Sequence, residues 1–206
     1  MISSRRKTAA VLAALAVTVT LAGTSAASAS ATEHREAHKP AVASVTGSAT
    51  FELPYWKDKD VRSFSFDAHG APYTHALPGA PQGLPFDAEG TVKVSHHSAD
   101  QNVTHTAEGR VDCLVTGPHT ATLTAVITKV SPGGPDWVGK RIGFSVSDGG
   151  KGERDRVGFS WNGLNLDDKG QDVPVGTCMA PAPYAPVVKG GYTVKHAELP
   201  APPWKK

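Results

Sequence analysis

The chain has 206 residues, 21 basic and 19 acidic side chains, and only two cysteines. A balance this close to neutral argues against a nucleic-acid partner, because phosphate binding rests on a basic surface. Two cysteines with no CxxC spacing argue against a thiolate metal site.

Arg5, Arg6 and Lys7 precede an uncharged apolar run from Ala9 to Gly23, and small residues ending in "ASASA" follow. That order of a basic head, a short apolar run and a small-x-small site predicts a secretory signal peptide over 1–31, cleaved before Ser30 or Thr32. The run is shorter than the roughly 20 residues a spanning helix needs, so no membrane anchor is expected after cleavage. About 175 residues then remain, the size of a single domain with its own core. Eighteen basic and nineteen acidic side chains remain with them. An exported chain folds in an oxidising compartment, where two cysteines are expected to pair.

Residues 32–44 are polar, with Glu33, His34, Arg35, Glu36, His38 and Lys39 and no apolar period, and read as a disordered arm. From Val45 the period becomes two: Val45, Gly47, Ala49, Phe51 and Leu53 alternate with polar residues, the mark of a half-buried strand. A second strand places Arg62, Phe64, Phe66 and Ala68 on one face.

The segment from Gly70 to Ala88, "GAPYTHALPGAPQGLPFDA", is a long connection of the kind that often carries binding. Tyr73, His75 and Phe86, with His69 and Asp67 nearby, offer an aromatic platform for a glycan or protein ligand; the plainer reading is a proline-stiffened crossover.

The next hairpin sets Val92, Val94 and His96 on one face, and Val103, His105, Ala107, Gly109, Val111, Cys113 and Val115 on one face of its partner. With both apolar sets on the same side and a four-residue turn from Ala99 to Asn102, His96 falls opposite His105. Directly opposed residues have Cβ atoms about 4.5–5.5 Å apart, close enough for two imidazoles to share Zn²⁺ or Cu²⁺. The alternative is two hydrogen-bonded, partly wet histidines at the end of a sheet.

Ala121, Leu123, Ala125 and Ile127 form a further strand. After it the chain nearly repeats itself: "RIGFSV" and "RVGFSW" flank a charged glycine loop. Ile142, Phe144 and Val146 share one face, and Val157, Phe159 and Trp161 another, as in a hairpin whose two arms bury the same residue types. Asp148, Glu153 and Asp155 bring three carboxylates to its loop. Ca²⁺ takes six to eight hard oxygens on a flexible backbone, but the spacing is not that of an EF-hand, and a structural turn is preferred.

A proline-rich coil with one edge strand is expected from Asp167, and a mobile tail over 197–206. Cys113 is expected to face the core and to form a disulfide with Cys178, tying this coil down. With no amphipathic helix in sight, the chain is expected to be all-β: an antiparallel β-sandwich or partly open barrel of about seven strands, spanning 45–196.

The runs GRVDCLVTG, TATLTAVITK, GKRIGFSVSDGG and DRVGFSW resemble a family of small secreted actinomycete proteins often labelled repetin, for which no activity is established. The resemblance covers most of Thr46 to Trp161. It implies export and a β-rich fold, and it carries no catalytic residues over. The chain itself has no G-x-S-x-G elbow, no HExxH and no marked carboxylate pair. The expectation is a secreted, monomeric, non-catalytic binding or structural module without a cofactor. The alternatives are a hydrolase built on His69, His75 and their loop, or a calcium- or zinc-binding protein.

Overall fold

Eight strands are joined in chain order into one closed antiparallel barrel in the computed structural model, which describes residues 42–160 and 165–205. They are β1 (Ser44–Phe51), β2 (Val61–Gly70), β3 (Ala88–Ser98), β4 (Val103–Gly117), β5 (Thr120–Val130), β6 (Arg141–Ser147), β7 (Arg156–Phe159) and β8 (Ala185–Lys195). The signal peptide, nearly all of the polar arm and Trp161 lie outside the described residues. The arm's last residue, Ser44, opens β1 and is buried.

Period-two alternation places every second side chain inside the cylinder. An eight-stranded barrel is just wide enough for such side chains to fill it, and here they are large. Phe51, Phe64, Phe144 and Phe159 are fully buried, with Phe66 and Tyr192 beside them. Their ring centroids lie 4.6 Å (Phe51–Phe64), 5.2 Å (Phe64–Phe144) and 5.1 Å (Phe66–Tyr192) apart, tilted or edge-on, the geometry that aromatic quadrupoles favour. Burial pushes the Tyr192 phenol above its ordinary value. The interior is therefore a packed core and not a ligand-holding cup. Thr91, Lys93, Thr104, Thr106 and Arg110 face outward and are exposed, a polar surface quite unlike the apolar belt of a transmembrane barrel.

The register of β3 and β4 follows the alternation: Val94 opposes Ala107, and His96 opposes His105 across the turn from Ala99 to Asn102. The echoed segments also pair, Phe144 against Phe159 and Val146 against Val157. Their shared glycine has a second purpose. A Cβ on Gly143 would collide with the Met179 carbonyl, and one on Gly158 with the Ala182 carbonyl. The proline-rich coil lies against the outside of β6 and β7 at these two bare positions. Ser145 Oγ donates to the Pro181 carbonyl at 2.5 Å and Cys178 N donates to Thr124 Oγ1 at 3.3 Å.

Two expectations are corrected here. Asp112 is an extra residue in β4: Val111 opposes Ala125, yet Cys113 opposes Thr124 and Leu114 opposes Leu123. Such a bulge reverses the faces beyond it. Leu114 and Thr116 point inward, whereas Cys113 and Val115 point outward. Cys113 is still fully buried, because the coil covers it and Cys178 is bonded to it, with Cα atoms 5.5 Å apart. The second correction concerns the C-terminal edge strand, which is a full eighth strand between β7 and β1 and closes the cylinder. Its register slips opposite Thr50 and Phe51, so Ala185 and Val187 point inward before the slip and Tyr192 after it. No single period runs through the strand.

β7 is short and meets β8 at only two residue pairs, Arg156 with Pro186 and Val157 with Ala185. Side chains supplement this seam. Asp155 Oδ2 accepts from Tyr192 N at 2.7 Å, Asp148 Oδ2 accepts from Val194 N at 3.2 Å, and the Arg156 guanidinium donates to the Pro183 and Tyr184 carbonyls.

Candidate functional site

Loops 52–60, 99–102, 131–140 and 165–184 gather at one end of the barrel, the upper end, and loops 71–87, 118–119 and 148–155 at the lower. The upper end is organised by an inward-pointing charge. Arg62 continues the inner face of Phe64, Phe66 and Ala68 and is 6% exposed. A buried guanidinium is costly unless it is paired. Two carboxylates of its own loop provide the pairing: Nη1 and Nη2 donate to Asp58 Oδ1 and Oδ2 at 2.9 and 2.5 Å, and Nη2 also reaches Asp60 Oδ2 at 3.1 Å. The Arg62 bond holds the Asp58 carboxyl below the usual carboxylate range. Asp60 is lowered mainly by the Ala99 backbone N–H, which donates to Oδ1 at 2.9 Å, and next by His96. Loop 52–60 is thereby clamped to β2 and to the β3–β4 turn.

The clamp leaves two large aromatic rings in solvent. Tyr55 is 61% and Trp56 65% exposed. Tyr55 rests on Tyr184, with centroids 5.9 Å apart, and Tyr184 in turn on Phe159 at 5.5 Å, so an aromatic stack runs from the core to the surface. Burial holds the Tyr184 phenol protonated, far above its ordinary value. Beside Trp56 lies a cleft of about 410 Å³ lined by Glu52, Leu53, Lys57, Lys59 and Pro186 as well as the Asp58–Arg62 pair.

A separate cavity of about 240 Å³ is lined by Val94, His96, His105, Ala107, Pro135 and Trp137. His96 Nε2 donates to Asp60 Oδ2 at 2.7 Å; a carboxylate only accepts, so the ring proton sits on Nε2 and Nδ1 keeps its lone pair. His105 Nδ1 is buried without a hydrogen-bond partner. His97 points to the other face, where its Nδ1 meets Thr104 Oγ1 at 2.9 Å. Among the described residues no group of three or more His, Cys, Asp or Glu side chains is placed to hold a metal ion.

The lower end gathers the other sequence-predicted residues without joining them into one site. Asp148 and Asp155 accept backbone N–H groups of their own loop, from Gly150 at 3.0 Å and Gly149 at 2.9 Å, besides the bonds to β8. Glu153 points away, exposed. In the 71–87 loop the carboxylate of Asp87, buried, accepts from the N–H groups of Thr74, His75 and Leu84. Tyr73 is covered by the tail: its hydroxyl donates to the Pro200 carbonyl at 2.8 Å and Trp204 packs edge-on against it. His75 Nδ1 meets Thr74 Oγ1 at 3.3 Å, His69 pairs with Asp67 on the outside of β2, and Phe86 is half-buried, its carbonyl accepting from Leu114 N. No protein-family profile, curated protein or solved structure matches the chain.

Tyr55, Trp56, Asp58 and Asp60 were not singled out by the alternation, because "ELPYWKDKD" has no period, and neither was Trp137 in "SPGGPDWVGK". A usable signal was present in the arginine at an apolar strand position, with aspartates two and four residues before it.

Proposed function

We propose that the protein is a secreted, non-catalytic module that binds carbohydrate on the Tyr55–Trp56 surface of the upper end. The observation that carries this reading is the clamp on loop 52–60, which keeps two aromatic rings about two-thirds exposed on a backbone fixed by Arg62. Exposed apolar area of this kind, rimmed by polar groups, marks an interaction site. The flat face of an indole suits the C–H face of a sugar ring, and the cleft beside it carries both signs of charge, Glu52 and the two lysines, as a neutral polyol with donors and acceptors requires. The packed barrel supports a surface site over an internal one. Export is supported by the N-terminal segment and by the disulfide, which persists in oxidising surroundings.

The test is co-sedimentation of purified protein with insoluble β-glucan, chitin and peptidoglycan. Wild-type protein should be depleted from solution by at least one of these, and Trp56→Ala should reduce depletion at least about tenfold, the scale of a stacking contact. Equal depletion by both proteins, or none by wild type on any of the three, would refute the assignment.

A further inference from the structure

We propose that His96 and His105 form a binding site for a divalent transition ion that prefers imidazole, Cu²⁺ above all and Zn²⁺ next. The two histidines are directly opposed across β3 and β4, which sets their Cβ atoms about 4.5–5.5 Å apart. Both line the same cavity. His96 is already arranged as a ligand: its Nε2–H is bonded to the Asp60 carboxylate at 2.7 Å, and a metal-bound histidine almost always donates its other ring nitrogen to such a group, which fixes the tautomer and raises the basicity of the free nitrogen. Asp60 is itself fixed by the Ala99 N–H and by Arg62, so the orientation is carried back to the backbone.

His105 supplies the second, independent observation. Its Nδ1 is buried and makes no hydrogen bond, under a turn where Gly133 comes so close that an added Cβ would touch His105 Cε1 at 3.6 Å. An unpaired buried polar atom keeps its desolvation penalty with no bond to offset it, a cost that coordination would remove. The nitrogen-only donor pair is what selects the ion. Imidazole suits copper and zinc, carboxylate and water suit calcium and magnesium, and affinity along the first-row series peaks at Cu²⁺. The protein provides two nitrogens and the remaining positions fall to water or to a ligand from outside. The two histidines line a different cavity from the Trp56 cleft, which they meet only through Asp60, so the histidine variants test this site alone.

The test is titration of tag-free protein carrying His34→Asn, which keeps the amino terminus from chelating the ion, with Cu²⁺, read by electron paramagnetic resonance and by calorimetry. The first equivalent should show coupling to two imidazole nitrogens. His105→Asn and His96→Asn should each remove one nitrogen from that signal and weaken the first equivalent at least about tenfold, and Asp60→Asn should weaken it by about ten- to hundredfold with both nitrogens retained. His69→Asn and His97→Asn should change neither reading. A first equivalent bound as tightly by the His96→Asn/His105→Asn double variant as by wild type would overturn the proposal. Metal-free melting curves show which variants are folded; should His96→Asn fail to fold, His105→Asn decides, since its Nδ1 has no hydrogen bond to lose.

Discussion

The two ends of the barrel differ in what their aspartates hold. At the lower end, among the described residues, Asp87, Asp148 and Asp155 accept seven backbone N–H groups, from Thr74, His75, Leu84, Gly150, Val194, Gly149 and Tyr192. These carboxylates act as cores for loops that have too few apolar residues to pack. At the upper end, Asp58 and Asp60 hold side chains as well, Arg62 and His96, beside the backbone N–H groups of Asp60 and Ala99, and the rings next to them stay in solvent or keep a nitrogen unpaired. A carboxylate engaged only by backbone N–H groups fixes the fold of its loop, whereas one that also accepts from a guanidinium or an imidazole fixes the orientation of a side chain. That difference separates Asp148 and Asp155, weighed for Ca²⁺ against a structural turn and bonded here to β8, from the two histidines proposed to bind a metal ion.

The largest effect should come from the disulfide, which fastens the coil that covers β6 and β7. Replacing Cys113 and Cys178 together by serine should cost about 4 kcal/mol on the chain-entropy account of a loop this long, and free the coil before the barrel. Thermal melting should fall sharply, and the first proteolytic cuts should map between 165 and 184; first cuts in the 71–87 loop would reverse the assignment of the weaker end. Next in size is Asp87→Ala. Three backbone N–H groups lose their acceptor at once, each worth about 1–3 kcal/mol if it stays buried. A loss near 3 kcal/mol in denaturant melts is expected after partial rehydration, and a loss under 1 kcal/mol would mean the loop is held otherwise.

Acid should act on the upper end through Asp58 and Asp60. Both folded carboxyls titrate below the ordinary value of 3.8, so their contribution is complete at pH above that value and disappears as pH falls through the folded values. Melting temperature should drop between about pH 4 and pH 2 in the wild type. In Asp58→Asn/Asp60→Asn it should start lower at neutral pH and fall less steeply, and parallel curves would count against the clamp. The smallest effect is Trp56→Ala, expected to change stability by less than about 0.5 kcal/mol, as surface replacements do. A larger loss would make Trp56 a packing residue and remove the basis for a binding surface.

Most strands were legible because one face of each is apolar and the other polar, and the His96–His105 pairing followed from that alternation plus a turn length. Alternation fails where the chain inserts a residue. The bulge at Asp112 leaves the string Val111, Cys113, Val115 looking regular while its last two members point outward, and the slip in β8 hides a barrel strand among glycines and prolines. Tyr55 and Trp56 escaped for another reason. Their exposure depends on a clamp between residues from three loops and strands, and local spacing carries no trace of Ala99 or His96 closing on Asp60. The segment from Gly70 to Ala88 reads first as a proline-stiffened crossover and second as an aromatic platform, and local spacing gives no sign that the chain's own tail lies on Tyr73.

Ser44 and Lys195 face each other across β1 and β8. The chain therefore enters and leaves the barrel side by side at the lower end. A tether or fusion attached through either terminus would hold the molecule by that end and present the Trp56 cleft and the histidine cavity away from the attachment. The same adjacency makes the barrel a candidate for circular permutation. A short linker would join the old ends, and new ones could be opened at the Asp168–Gly170 turn without cutting any strand that bears the two proposed sites.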